Sequence, residues 1–194
     1  MGLMDLSDFD AALTWTSFEP HMHKAKTERQ KKRLASVVRH SRGEVEADIA
    51  AVLPTLMPDP QYHEYGVFGN TIEDTGPKGI DAVKANYDEM VRCGSYVIES
   101  KKLRVVVSDE EIVTEGTFRQ ILTSEVAKAM GFVEPADESS DYYMLTARTV
   151  VFWDFDDNDL ASEDRCVLAH KIVPLPESDL PANYPDRLRK SAAV

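Results

Sequence analysis

"GIDAVKANYDEMVRCGSYVIESKKLRVVV", residues 79–107, changes its rhythm half-way along. Up to Arg92, the apolar residues Ile80, Val83, Tyr87, Met90 and Val91 recur at the period of a helix with one buried face. Gly94 supplies the stop, since glycine accepts the left-handed conformation that ends many helices. Beyond it the period falls to two, as in a strand with two unlike faces. The stretch therefore holds the end of a helix and the entry to a sheet.

Downstream the period of two persists. A strand over 95–109 has a break near Ser100 to Lys102, and the acidic turn Ser108 to Glu111 joins it to a second strand ending near Ser124. Ser124 to Met130 reads as a helical insertion. YYMLTARTVVFWDFD and LASEDRCVLAHKIVPL then form two long strands around the turn at DDND.

Upstream the chain is helical. A short helix is expected over Asp5 to Trp15. Thr27 caps a helix that runs to Ser41, Gly43 interrupts it, and Glu44 to Leu56 forms another that Pro54 ends or kinks. Gln61 to Tyr65 is a short strand and 66–77 a loop. Helices segregated from antiparallel strands indicate an α+β fold. A curved sheet wrapped around helices encloses a cavity, the default place for a ligand. The expected organisation is an N-terminal extension (1–26), one domain (27–173) and a C-terminal tail (174–194) ending in the basic run RLRK.

Composition excludes several classes. A formal net charge of −12 argues against nucleic acid, whose binding draws on Lys and Arg at phosphates. No apolar run approaches the ~18 residues of a membrane span. MGLMDLSDFDAALTW lacks the basic and apolar blocks of a signal peptide. Cys93 and Cys166 belong to no CxxC pair, so a cytoplasmic protein with free thiols is expected. His21 and His23 lack carboxylates at motif spacing, so no metal is assigned, and no cofactor motif occurs.

YHEYGVFGNTIEDTGPKGIDAVKANYDEMV (62–91) resembles a region of the NTF2-like superfamily, especially its SnoaL-like branch, where a polar strand leads to a helix opening like Gly79-Ile80-Asp81-Ala82-Val83. RTVVFWDFDDNDLASEDR is similar to the closing hairpin of that family. The resemblance implies a cone-shaped, partly closed antiparallel sheet packed on about three helices, a pocket inside the cone, and a homodimer formed through the sheet. It spans small-molecule isomerases, cyclases and dehydratases of the polyketide-cyclase and ketosteroid-isomerase kind, dioxygenase small subunits, and proteins that only bind. The expected partner is a small hydrophobic cyclic or carbonyl compound. The expected role is cofactor-independent acid–base chemistry; the alternative is a non-catalytic binding or assembly module.

Alternation places Gln61, His63 and Tyr65 on one face, and Tyr62 and Glu64 on the other. With the first set inward, His63 is the candidate base and Tyr65 or Tyr87 the donor; otherwise His63 is an ordinary strand histidine and Tyr87 belongs to the core. Phe68, Val83, Phe118 and Phe152 are assigned to the pocket lining. Glu115 and Arg119 are expected to point outward, opposite Phe118. SnoaL-like cyclases often carry an Asp shortly after the Glu of the last strand. Here the text is Leu168-Ala169-His170, with His170 as the substitute.

Overall fold

Thr27 opens the longest helix with a reciprocal cap: its hydroxyl accepts from the Gln30 amide at 3.1 Å, and Gln30 Oε1 accepts from the Thr27 amide at 3.3 Å. In the computed structural model, which describes residues 8–67, 72–136 and 139–190, this helix (α2, Glu28–Val45) follows a short α1 (Leu13–Thr16). It does not stop at Ser41. Gly43 stays helical because it is a point of close packing: a Cβ there would lie 2.9 Å from Val52 Cγ2. The extra turn carries Glu44 into the interior beside His40, in phase with Leu34 and Val37.

Asp48 then caps α3 (Ile49–Val52), and Pro54 turns its continuation into a single 3-10 turn, Leu53–Thr55. After β1 (His63–Tyr65), α4 (Ile80–Cys93) ends at Gly94, whose φ of +80° is the left-handed stop the sequence predicts. The strands β2 (Ile98–Val107), β3 (Glu111–Thr123), β4 (Tyr142–Phe155) and β5 (Ala161–Leu175) follow, with α5 (Ser124–Ala129) between β3 and β4.

The sheet is five-stranded and open, in the order β1-β5-β4-β3-β2. β1 runs parallel to β5, and every other pair is antiparallel. Two irregularities bend it. The first lies between Lys102 and Arg104, close to the expected break. The second, opposite Arg148 and Thr149, leaves Leu168 without a partner. It also corrects the expected phase of β5. Strict alternation groups His170 with Asp164 and Cys166, whereas the extra residue returns it to the face of Glu163, Arg165 and Val167.

Described segments near both ends contribute to the core. Phe9, Leu180 and Tyr184 pack with Ile121, Met144 and Leu175 on one face of the sheet. The segment before α2 also closes the free edge of β2. Thr14 Oγ1 accepts from the Ser100 amide at 3.0 Å, Ser17 Oγ accepts from the Lys102 amide at 2.9 Å, and Lys24 Nζ donates to the Val105 carbonyl at 2.8 Å. Side chains thus satisfy backbone groups that another strand would otherwise pair with. Between α2 and the sheet lie Phe18, Leu34, Val37, Val105, Ile112 and Trp153.

Candidate functional site

A cavity of ≈ 270 Å³ lies between the sheet, α4 and α5. Its walls are largely apolar, with Met90, Phe118, Val126, Phe132, Leu145 and Val167, and they also include Asn86, Glu89, Arg92, Gln120 and Glu125. Its polar floor includes Glu64, Thr149 and Arg165.

The parallel pairing of β1 and β5 builds this floor. It sets Glu64 beside Arg165. Along β5, Glu163 and Arg165 are two residues apart and share a face, so Glu163 Oε1 accepts from Arg165 Nη2 at 2.6 Å and from Nε at 3.0 Å. Glu44, delivered by the last turn of α2, stands 3.6 Å from Arg165 Nη2. Lys102 of β2 faces the same group of acids and donates to Ser100 Oγ at 2.6 Å.

Three carboxylates thus face two cations in a place that water barely reaches. Burial pushes the carboxyls of Glu44 and Glu64 above their ordinary range, and Arg165 opposes that shift at both. Burial also pulls Lys102 down to about 8, against the attraction of Glu44 and Glu163. Arg165 stays charged: burial disfavours its cation, but Glu163, Glu44 and Glu64 outweigh it. The carboxylate of Glu64 is placed differently from those of Glu163, which accepts two hydrogen bonds from Arg165, and Glu44, which forms an ion pair with it: among the described residues Glu64 has neither, and it lines the cavity.

Behind the floor lies a neutral chain of hydrogen bonds whose direction is determined. Thr55 spends its hydroxyl proton on the Val52 carbonyl at 2.6 Å, so it accepts from His40 Nδ1 at 2.8 Å. His40 Nε2 therefore carries no proton and accepts from Tyr87 at 2.9 Å, and Tyr87 in turn accepts from Tyr62 at 3.0 Å. Burial lowers the His40 pKa to about 4 and raises both tyrosines.

With a folded pKa below the unfolded 6.5, neutral His40 contributes fully to stability above pH 6.5, and the contribution is lost as pH falls toward about 4. The loss amounts to about 3 kcal/mol. Glu44 and Glu64 act in the opposite sense, losing stability as pH rises through their raised values. Nitrogen-15 NMR of the histidines is expected to show His40 neutral and protonated on Nδ1 at about one unit below its ordinary pKa. A charged ring there, or a proton on Nε2, contradicts this arrangement.

No protein-family model matches this chain, and no curated protein matches it either. Solved structures do. A Mycobacterium tuberculosis protein aligns over 76% of this chain and 99% of its own, with 13% identity and a TM-score of 0.52. A Δ5-3-ketosteroid isomerase from Mycobacterium sp. aligns over 72% and 97%, with 17% identity and a TM-score of 0.52. A phenazine biosynthesis-related protein from Pseudomonas aeruginosa aligns over 72% and 81%, with 10% identity and a TM-score of 0.52. The fold is NTF2-like. At these identities the likeness is one of architecture.

Within this NTF2-like frame the expected site residues fall in different places. β1 has the opposite phase from the one that would bring His63 and Tyr65 inside. The Tyr62 ring packs with Val52, Leu56, Val83 and Tyr87, and this seats Glu64 beside Arg165. His63 and Tyr65 consequently turn outward. The side chain of His63 is 38% exposed and meets Asp74 at 2.6 Å and Lys78 at 2.9 Å; Tyr65 is 39% exposed. Lys78, with the amides of Gly76 and Glu64, holds Asp74 well below the usual carboxylate range.

Tyr87 is buried in the His40 chain, and Val83 is in the same buried cluster as Tyr87 and not in the cavity lining. Phe118 lines the cavity, with Glu115 and Arg119 on the opposite face as expected. Those two pair with Arg148 and Glu99 respectively. Phe152 lies on that outer face, in register with Val113. His170 packs edge-on against the cavity residue Phe132, with ring centroids 4.9 Å apart. Phe68 falls outside the described residues.

Glu44, Glu64, Lys102 and Arg165 were not singled out from the sequence. Glu163 and Arg165 do share a face there, but nothing local reveals that a parallel strand and a helix bring two more acids to them. Among the described residues, no group of His, Cys, Asp and Glu is arranged to hold a metal ion, and no helix is long and apolar enough to cross a membrane.

Proposed function

We propose that this protein binds a small, largely apolar, carbonyl-bearing molecule in the cavity and moves a proton on it without a cofactor. Glu64 is the acid–base group, and Arg165 stabilises the charge that develops. The observation that carries this reading is a buried carboxylate with no hydrogen bond among the described residues, facing a largely apolar cavity beside a guanidinium. Burial raises such a carboxyl toward working pH, where it makes a better base and still returns its proton. The Glu64 carboxylate would take a proton from the carbon next to the carbonyl. The electron pair left behind shifts onto the carbonyl oxygen as an enolate, which Arg165 stabilises. The Glu64 carboxylic acid then gives the proton back, to the same carbon or to one further along a conjugated system, giving an isomer. The acid–base role expected of His63 passes in this reading to its neighbour in β1. The ketosteroid isomerase among the structural neighbours has by its name a reaction of this kind.

The test is exchange of α-protons for deuterium in a panel of cyclic enones, followed by proton NMR in deuterated buffer. Enzyme-dependent exchange supports catalysis. Binding without exchange leaves the non-catalytic reading in its place.

The proposal includes a homodimer through the outer face of the sheet and, with both cysteines free, a cytoplasmic setting. Val106, Val113 and Phe152 form an unbroken apolar row across β2, β3 and β4, and Val106 is 59% exposed. Light scattering after size exclusion is expected to give twice the 21.7 kDa chain mass, and Val106→Glu to reduce it to one. A monomer in the unaltered protein removes this part.

A further inference from the structure

The basic run near the C-terminus has a place in the structure that the acid–base chemistry does not use. A second, more open cavity of ≈ 670 Å³ lies beside the first, and Arg92, Cys93, Glu125 and Val126 line both. Its other residues include Lys128, Arg187, Arg189 and Lys190, while its acids are Glu125 and Asp141. In a chain of net charge −12, this hollow has the opposite sign.

The cations are only partly neutralised. Lys190 pairs with Asp141, and Arg92 with Glu89 at 2.6 Å. Among the described residues the one ion pair of Arg189 is with Asp186, at 3.6 Å, and that carboxylate is almost wholly in water; its guanidinium also donates to the Pro181 carbonyl at 3.1 Å and lies over the Tyr184 ring. Lys128 and Arg187 form no ion pair among the described residues.

The segment bearing these groups is fastened in place. The Tyr142 hydroxyl donates to the Leu188 carbonyl at 3.0 Å and accepts from the Lys190 amide at 2.7 Å. Arg187 Nη2 donates to the Val91 carbonyl at 2.8 Å. Leu188 lies so close over Gly94 that a Cβ on the glycine would sit 2.4 Å from Leu188 Cδ1. The glycine that ends α4 thus also admits the strap that holds the cations over the end of that helix. Tyr142 is buried and is spanned by two bonds of this strap, so the arrangement is part of the fold.

We infer that the natural ligand is amphipathic, with an apolar body in the first cavity and an anionic tail, carboxylate or phosphate, held by the basic residues of the second. This rests on the first cavity being the ligand site. Guanidinium groups suit such tails because their donors match two oxygens at once.

Calorimetric titration with octanol, octanoate and octyl phosphate, near neutral pH and at low ionic strength, tests it. The two anions are expected to bind about tenfold more tightly than octanol, with a preference that shrinks as salt is added. Tighter binding of octyl phosphate than of octanoate marks a phosphate ester as the tail, and the reverse a carboxylate. The double substitution Lys128→Gln with Lys190→Gln, at two residues that line only the second cavity, is expected to remove most of the preference and leave octanol binding unchanged. Equal affinity for all three compounds overturns the anionic tail while leaving the first cavity as a ligand site. Binding of none of them overturns the cavity reading, and this one with it.

Discussion

Replacing Glu64 by glutamine is expected to slow α-proton exchange by about 10²–10⁴-fold, the usual worth of a positioned acid–base group. The amide matches the carboxylate in shape, so the apolar walls and the floor keep their packing. No hydrogen bond is forfeited, because the carboxylate has none among the described residues. Stability should hold or rise. A carboxyl with a raised folded pKa costs stability as pH climbs through that value, and glutamine removes the cost. The pH profile gives a second readout: in the unaltered protein, exchange should rise with pH along a limb set by Glu64, above the ordinary carboxylate range. A Glu64→Gln variant exchanging at the original rate, with the same profile, would take Glu64 out of the chemistry.

Arg165→Met should be the most destabilising change at this site, by about 3–5 kcal/mol at neutral pH, because it leaves buried acids without their nearest cation. Glu163 loses two hydrogen bonds, Glu44 loses its ion pair, and Lys102 remains alone against three carboxylates. The pH dependence separates this from a loss of packing. With the guanidinium gone, the folded protein must hold more protons on these acids, so the variant should weaken steeply as pH rises and recover as it falls. Urea unfolding on both sides of neutrality measures this, and a loss that does not change with pH argues for packing alone. Arg165→Lys should recover only part of it, since an ammonium cannot present two donors to Glu163 while reaching Glu44.

The architecture was legible in the sequence because its signals are local. The change of period at Gly94, the Thr27 cap, the acidic turn before β3 and the bend near Lys102 each depend on neighbours in the chain. The site was less legible because its geometry is not local. Alternation in β1 divides His63 from Glu64 but does not say which face is inside. That is settled by the Tyr62 ring packing on α4 and by the pairing of Glu64 with a residue a hundred positions away. Gly43 misled for a related reason: a glycine within a helix pattern reads as a break unless the neighbouring segment that needs the space is visible. The unpaired Leu168 reversed the facing of His170 in the same way, since a bulge leaves no mark on composition.

The hydrogen-bonded chain behind the floor has a consequence for proton traffic. A relay works only if each member can take a proton on one side and release another on the far side. The chain from Tyr62 through Tyr87, His40 and Thr55 ends on the Val52 carbonyl, which accepts but has no proton to pass on. It is therefore a dead end, an insulating back wall. It offers a proton at Glu64 no way to bulk water, so in the proposed reaction that proton is exchanged on the ligand side, across the cavity.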